Sequence, residues 1–362
     1  MKTDLIDLLQ CPFCRSAFTL FQLEAHQLSS SVESGLLYCV NSHVFPISGS
    51  IPRIFVQALD NHLHELYLEK TQLPEKLSRA INATMTSKKN LAVPGHRHIQ
   101  HSFSSEWNEL AFNMNAWGQD VNEREKLFFQ CMDTTSEELK GKLILDAGCG
   151  NGEVEEALMK FDAKIIGMDL SYSVDKIHKK LMSINPRYQD KISLVQGNVH
   201  QPPFKDAVFD MIHSAGVLHH THDTRAGFEQ LSCCLKKNGI FFIEVYSEDH
   251  KNIIEKIAFR VFNVIRKITT KLPHGVLHSL CWGLTPLLWL YIYSCNKIMN
   301  KNRYIRRNRE QMELSLFDAL SPLYDWHHTT IEVKNWFHAM GFIKIKKTFF
   351  NHNVIGINGH FK

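Results

Sequence analysis

No apolar leader opens this 362-residue chain: Met1-Lys-Thr-Asp-Leu-Ile-Asp places acids where a secretory signal carries a hydrophobic run, and a cytoplasmic protein is expected. A strong charge bias is also missing. The net charge is +4 at pH 7, from 41 basic and 37 acidic residues, which by itself demands no nucleic acid partner. The apolar run Gly275 to Ser294 approaches the length of a membrane span, but His274, His278 and Pro286 are expected to interrupt it. No Asn-Pro-Pro-Tyr motif of the base-flipping kind occurs. The nine cysteines are therefore expected in a reducing compartment, as metal ligands or buried thiols rather than disulfides. A hydrophobic content of 44% suits a folded chain with a large core.

What is present centres on Leu143-Ile-Leu-Asp146-Ala-Gly148-Cys-Gly150-Asn-Gly152, which reads as a buried strand, a tight turn and the start of a helix, Glu153 to Met159. A dinucleotide fingerprint, G-x-G-x-x-G, requires a third glycine where this chain has Glu153. The spacing is G-x-G-x-G instead. A second strand beginning at Lys164 ends in Asp169, about twenty residues beyond the glycines, where a carboxylate can accept both hydroxyls of a ribose. A third, Ile192 to Val195, runs into Gln196-Gly197-Asn198. A fourth, Phe209 to His213, leads to Ser214-Ala-Gly-Val-Leu-His219-His220, and a fifth, Ile240 to Val245, follows the turn Lys236-Lys-Asn-Gly239. This order fits a doubly wound α/β sheet, whose ligands sit at the carboxyl ends of the strands, where Asp146, Asp169, Asn198 and Ser214 fall.

These motifs together resemble the class I S-adenosylmethionine-dependent methyltransferases. The resemblance implies a Rossmann-like sheet of seven strands and S-adenosylmethionine held by Asp146, Gly148, Gly150, Gly152, Asp169, Asn198 and Ser214. It also implies that Asn198 meets the adenine amine and that the Ser214 to His220 segment lines the methionine end of the cofactor and the substrate mouth. The turn at Lys236 departs from the family's L-K-P-G-G, away from the cofactor site. His219 and His220 are the candidate general bases, for acceptors that must lose a proton.

Near the N-terminus, Cys11-Pro-Phe-Cys14 and Cys39-Val-Asn-Ser-His43 supply three thiolates and an imidazole in two knuckles, the donor set of a closed, structural Zn²⁺ site. The alternative, a redox Cys-x-x-Cys, calls for a βαβ context that this stretch lacks. The segment resembles the zinc-ribbon modules fused ahead of some methyltransferases, among them bacterial rRNA guanine methyltransferases.

Five regions are expected: a zinc ribbon over 1–58, a helical linker over 59–100, the methyltransferase core over 101–246, a helical cap over 247–322, and the last helix and two strands over 323–362. The phrase Ser102-Phe103-Ser-Ser-Glu-Trp107 and the segment Asp318-Ala-Leu-Ser-Pro322-Leu-Tyr324 resemble elements of zinc-ribbon methyltransferases associated with surface polysaccharides and secondary metabolites. In the cap, the tryptophans and leucines of 275–294 are expected to be buried against the core. The basic run Lys297, Lys301, Arg303, Arg306, Arg307 and Arg309 leaves peripheral contact with the inner face of a membrane as the lesser reading. The acceptor expected is a small molecule or a carrier-linked glycan or lipid, and the runner-up is an RNA base.

Overall fold

The computed structural model describes residues 1–23, 31–56, 58, 62, 73–87, 92–107, 119–249, 251, 253–299, 308–350 and 353–362. Strands β1 (Phe18–Gln22), β2 (Gly35–Cys39) and β3 (Val44–Ser48) form an antiparallel meander that continues into β4 (Ile51–Ile54). Three helices follow, α1 (Glu75–Ser87), α2 (His96–Ser105) and α3 (Val121–Met132). The core alternates β5 (Leu143–Ala147), α4 (Glu153–Leu158), β6 (Lys164–Asp169), α5 (Ser173–Ile184), β7 (Ile192–Gly197), β8 (Phe209–Ala215), α6 (Thr224–Cys233) and β9 (Leu235–Ser247). Next come α7 (Ile253–Thr269), α8 (His274–Met299), α9 (Arg309–Leu320), β10 (His327–His328), α10 (Thr330–Ala339), β11 (Phe342–Phe350) and β12 (Val354–Phe361).

In space the core strands run β7-β6-β5-β8-β9-β12-β11, all in one direction except β12, which is antiparallel to both its neighbours. This is the expected seven-stranded, Rossmann-like sheet. Its parallel strands are apolar on both sides because helices cover both faces: Leu145 and Ala147 of β5 join one core cluster, and Ile144, pointing to the opposite face, joins the other. The chain leaves β5 for β6 and β7 on one side, then crosses to β8 and β9 on the other. The resulting switch point between β5 and β8 opens a crevice at their carboxyl ends.

The N-terminal meander does not stand apart from this sheet. β4 pairs in parallel with the edge strand β7, in the register Arg53 to Gln196, and extends the core sheet. Arg53 is only 1% exposed. Its guanidinium grips both carboxylate oxygens of Asp175 and donates to Gln196 Oε1 at 3.0 Å and to the Ser48 carbonyl at 3.1 Å. A planar fork of donors suits this arrangement, in which one buried cation satisfies four acceptor atoms. Helix α1 packs Leu77, Ala80 and Ile81 against Leu36 and Val44 of the meander. Most of the expected linker before it, residues 59–72, lies outside the described residues apart from residue 62.

The insertion after β9 corrects the sequence reading twice. Pro286 does not interrupt the apolar run, since α8 is continuous from His274 to Met299. A proline inside a helix frees the carbonyl four residues back. Here that carbonyl, on Trp282, accepts from the Thr285 hydroxyl at 2.8 Å and from Arg309 at 3.4 Å. Nor are the tryptophans and most of the leucines of α8 buried. Leu277 and Cys281 pack on Phe317 and Leu320 of α9, whereas Trp282, Leu287, Trp289 and Leu290 are exposed. The basic residues Lys301, Arg303, Arg306 and Arg307 lie outside the described residues.

Candidate active site

Two joined cavities occupy the crevice. The smaller, about 90 Å³, is lined by Gly148, Met168, Asp169, Leu170, Asn198, Val199 and, from α2, His96, Ile99 and Phe103. The larger, about 650 Å³, runs from Asp146, Gly148 and Gly150 to Tyr246, Asp318 and Asp325. Phe103, Trp107, Gly148 and His220 belong to both.

The glycine turn shapes the floor of this crevice. Gly148 has φ +94°, and a Cβ there would stand 2.2 Å from the Val217 side chain, so no other residue fits. Gly150 supports the Trp107 ring, which a Cβ would meet at 3.2 Å. Gly152 is left-handed at the entry to α4 and packs on Ile177, which makes its part conformational.

Asp169 stands at the end of β6 with one oxygen accepting from the Gly150 amide at 2.9 Å and the other from the Ser171 amide at 2.8 Å. Each oxygen keeps a second lone pair for a diol. Burial raises the pKa of Asp169, and the Ser171 and Gly150 donors work against that rise. Asn198 donates to His96 Nδ1 at 3.0 Å and accepts from the His200 amide at 2.9 Å. His96 must then carry its proton on Nε2, which is buried and has no partner among the described residues. Burial holds this imidazole neutral, its pKa lowered to about 4. Hence a neutral imidazole lines the smaller cavity. Nothing in the sequence singles out His96, a lone histidine in a polar stretch.

Strand alternation separates Ser214 from its neighbour. Ser214 does not line either cavity, and its hydroxyl donates to the Ala147 carbonyl at 2.9 Å. His213, stacked on Phe242, reaches the larger cavity instead and bonds Asp146 Oδ1 through Nδ1 at 2.7 Å.

The two candidate bases also part. His219 is fully buried behind the cavity, its ring 3.9 Å from that of Tyr246, and burial holds its pKa well below the usual value. His220 faces both cavities. Its Nδ1 lies 3.1 Å from the Tyr324 carbonyl, and because a carbonyl only accepts, Nδ1 carries the proton and Nε2 presents a lone pair. Asp318 Oδ1 is 3.7 Å from that Nε2, and its other oxygen accepts from the Tyr246 hydroxyl at 2.8 Å. Burial raises the pKa of Asp318, with His220 pulling it back.

The insertion supplies this polar end: α9 carries Asp318, and the strap after it carries Tyr324, Asp325 and Trp326. Trp326 bonds the His219 and Thr221 carbonyls at 3.0 and 2.9 Å, and Arg266 of α7 clamps Asp325, fixing the strap over His220. Glu106 is wholly buried at the same end, with no partner for either oxygen among the described residues, and burial, with Asp318 nearby, raises its pKa.

Cys11, Cys14, Cys39 and His43 converge at the other end of the molecule, their ligand atoms all within 4.8 Å of one another. Cys14 and Cys39 sulfurs are 3.6 Å apart, and His43 Nδ1 is 3.4 Å from the sulfurs of Cys11 and Cys39. Tetrahedral ligands on zinc require edges of about 3.8 Å between sulfurs and about 3.5 Å between sulfur and nitrogen. The cluster fits that ion, and the His43 amide also points at the Cys39 sulfur, 3.4 Å away.

Residues 145–243 match the family described as Methyltransferase domain. The chain is 29% identical over 149 residues to the tRNA U34 carboxymethyltransferase of Campylobacter lari, covering 41% of this chain and 50% of that protein. It is 31% identical over 137 residues to the ubiquinone biosynthesis O-methyltransferase of Coxiella burnetii, covering 36% of this chain and 56% of that protein. It thus spans about half the length of the curated relatives it matches. Among solved structures it is similar to the magnesium protoporphyrin IX methyltransferase of Synechocystis PCC 6803 with bound S-adenosylmethionine, at 12% identity and TM-score 0.44, covering 75% of this chain and 99% of that one. Residues 145–243 of the chain thus carry a methyltransferase domain.

Proposed function

We propose that this protein transfers the methyl group of S-adenosylmethionine to a hydroxyl or acidic carbon of a small-molecule or carrier-linked glycan or lipid acceptor. The observation that carries this reading is the continuous crevice from Asp169 and the glycine turn to the lone pair of His220. Asp146, Gly148, Gly150, Asp169, Asn198 and His96 would hold the cofactor. When bound, it supplies a methyl already activated on a sulfonium, so alignment and exclusion of water are most of the protein's task. Helix α2 and Trp107 close the crevice over the cofactor end. His220 Nε2 receives the acceptor's proton, the Tyr324 carbonyl fixes its tautomer, and Asp318 steadies the resulting imidazolium.

RNA is the weaker reading, although one relative acts on tRNA by name. The larger cavity is lined by Glu106, Asp146, Glu153, Glu244, Asp318 and Asp325. Its two arginines, Arg124 and Arg266, are already paired with Glu153 and Asp325. Neither arginine is left over for a phosphate, the contact on which nucleic acid binding chiefly rests. Incubation with methyl-labelled S-adenosylmethionine and cell extract, followed by fractionation, tests the assignment. For the N-terminal cluster we propose a structural Zn²⁺ held by all four ligands, leaving no open position for catalysis.

A further inference from the structure

Helix α8 has the length and composition to cross a membrane, yet only 18% of its apolar window is buried. From His274 to Asn296 it contains no Asp, Glu, Lys or Arg. Its outward side carries Val276, Leu280, Trp282, Leu287 (63% exposed), Trp289 (54%) and Leu290 (53%). The neighbouring α7 adds Val264 (60%) and Ile268 (65%). An apolar face of this extent, on two consecutive helices, is a contact surface rather than ordinary scatter.

Charge identifies its occupant. The uncharged span is preceded by Lys251, Lys256, Arg260, Arg266, Lys267 and Lys271 against the single acid Glu255. It is followed by Lys297, Lys301, Arg303, Arg306, Arg307 and Arg309 with no acid before Glu310. Leaving out Arg266, which is buried on Asp325, eleven cations and one acid flank the apolar, tryptophan-bearing helix in the sequence, a pattern that complements an anionic bilayer surface, where basic side chains meet head groups and Trp sits at the interface.

The opposite side of α8 is tied to protein, which excludes lipid from its whole circumference. His278 stacks on Phe317 at 4.3 Å and bonds Ser105, and Leu277 and Cys281 pack on Phe317 and Leu320. We propose that α7 and α8 form an in-plane anchor that seats the protein on anionic lipid without spanning the bilayer. Phe262 of α7 lines the larger cavity, so the anchor helices also wall the crevice. The anchor goes beyond the catalytic reading and holds whichever acceptor is methylated.

The test is flotation of the whole protein with phosphatidylcholine vesicles, with and without phosphatidylglycerol, alongside calorimetry of S-adenosylmethionine binding. Anionic vesicles should bind the protein roughly tenfold or more tightly than neutral ones, with partial release by salt. Leu287→Glu combined with Leu290→Glu should abolish flotation while cofactor affinity stays unchanged. Failure to float on either vesicle overturns the proposal. Concentration-dependent dimerisation in its place, lost in the same variant, would assign the face to a second copy. Retention after alkaline extraction would overturn the in-plane seat in favour of a span.

Discussion

The ring of His220 is held by the backbone of Tyr324, 104 residues further along the chain, through an Nδ1–H to carbonyl bond of 3.1 Å. This single contact decides which nitrogen faces the acceptor. A base of this kind contributes roughly 10²- to 10⁴-fold to rate. His220→Gln should therefore lower kcat by about that range and leave S-adenosylmethionine affinity within about twofold, as read by single-turnover transfer and calorimetry. Asp318→Asn should cost less rate and shift the pH profile, since it acts on the imidazolium. Equal loss of cofactor binding in His220→Gln would make the residue a packing element.

Asp169→Ala should weaken S-adenosylmethionine binding at least about tenfold, because hydrogen bonds to a charged group are worth roughly 1.5 to 3 kcal/mol. Calorimetry on the folded variant checks this, and unchanged affinity would remove Asp169 from the site.

One zinc per chain should copurify, and Cys14→Ser should lose it, as metal analysis of protein prepared without chelators will show. Because β4 continues the core sheet, the loss should also lower the melting temperature of the core rather than loosen an isolated ribbon. Arg53→Ala tests the same junction without touching the metal. Removing one partner of a buried ion pair costs about 3 to 5 kcal/mol. The half-exposed Asp175 should keep the effect near the lower end, measurable by urea denaturation.

Acid should destabilise the fold through its buried histidines. Burial lowers His96 and His200 from 6.5 to about 4. Between those values the unfolded chain binds protons that the folded one does not, so their stabilisation is full above pH 6.5 and lost as pH falls toward 4. Glu244, raised by burial to about 7, acts with the opposite sign, losing stability as pH rises from 4.5 to 7. The His200 contribution is thus isolated by comparison: His200→Gln should flatten the fall in melting temperature between pH 6.5 and 4. An unchanged slope would remove it from the acid transition.

The sheet was legible because its strands are short apolar runs punctuated by glycines and acids, and Gly148 and Asp169 announce a turn and a strand end by residue type alone. The parts that were not legible depend on partners distant in sequence. Ser214 and His213 differ only in which side of β8 they occupy, and the strand's phase against its neighbours decides that. Arg53 reads as a surface charge until Asp175 and Gln196 surround it. Pro286 reads as a helix breaker until Thr285 and Arg309 take the freed Trp282 carbonyl. Periodicity shows that α8 is apolar, but not whether protein or lipid covers it.

The most direct measurement is the destination of the methyl group. Purified protein, labelled S-adenosylmethionine and cell extract should place label in a small-molecule, glycan or lipid fraction, and His220→Gln should abolish it while still binding the cofactor. Label recovered in RNA, or transfer undiminished in His220→Gln, would contradict the account.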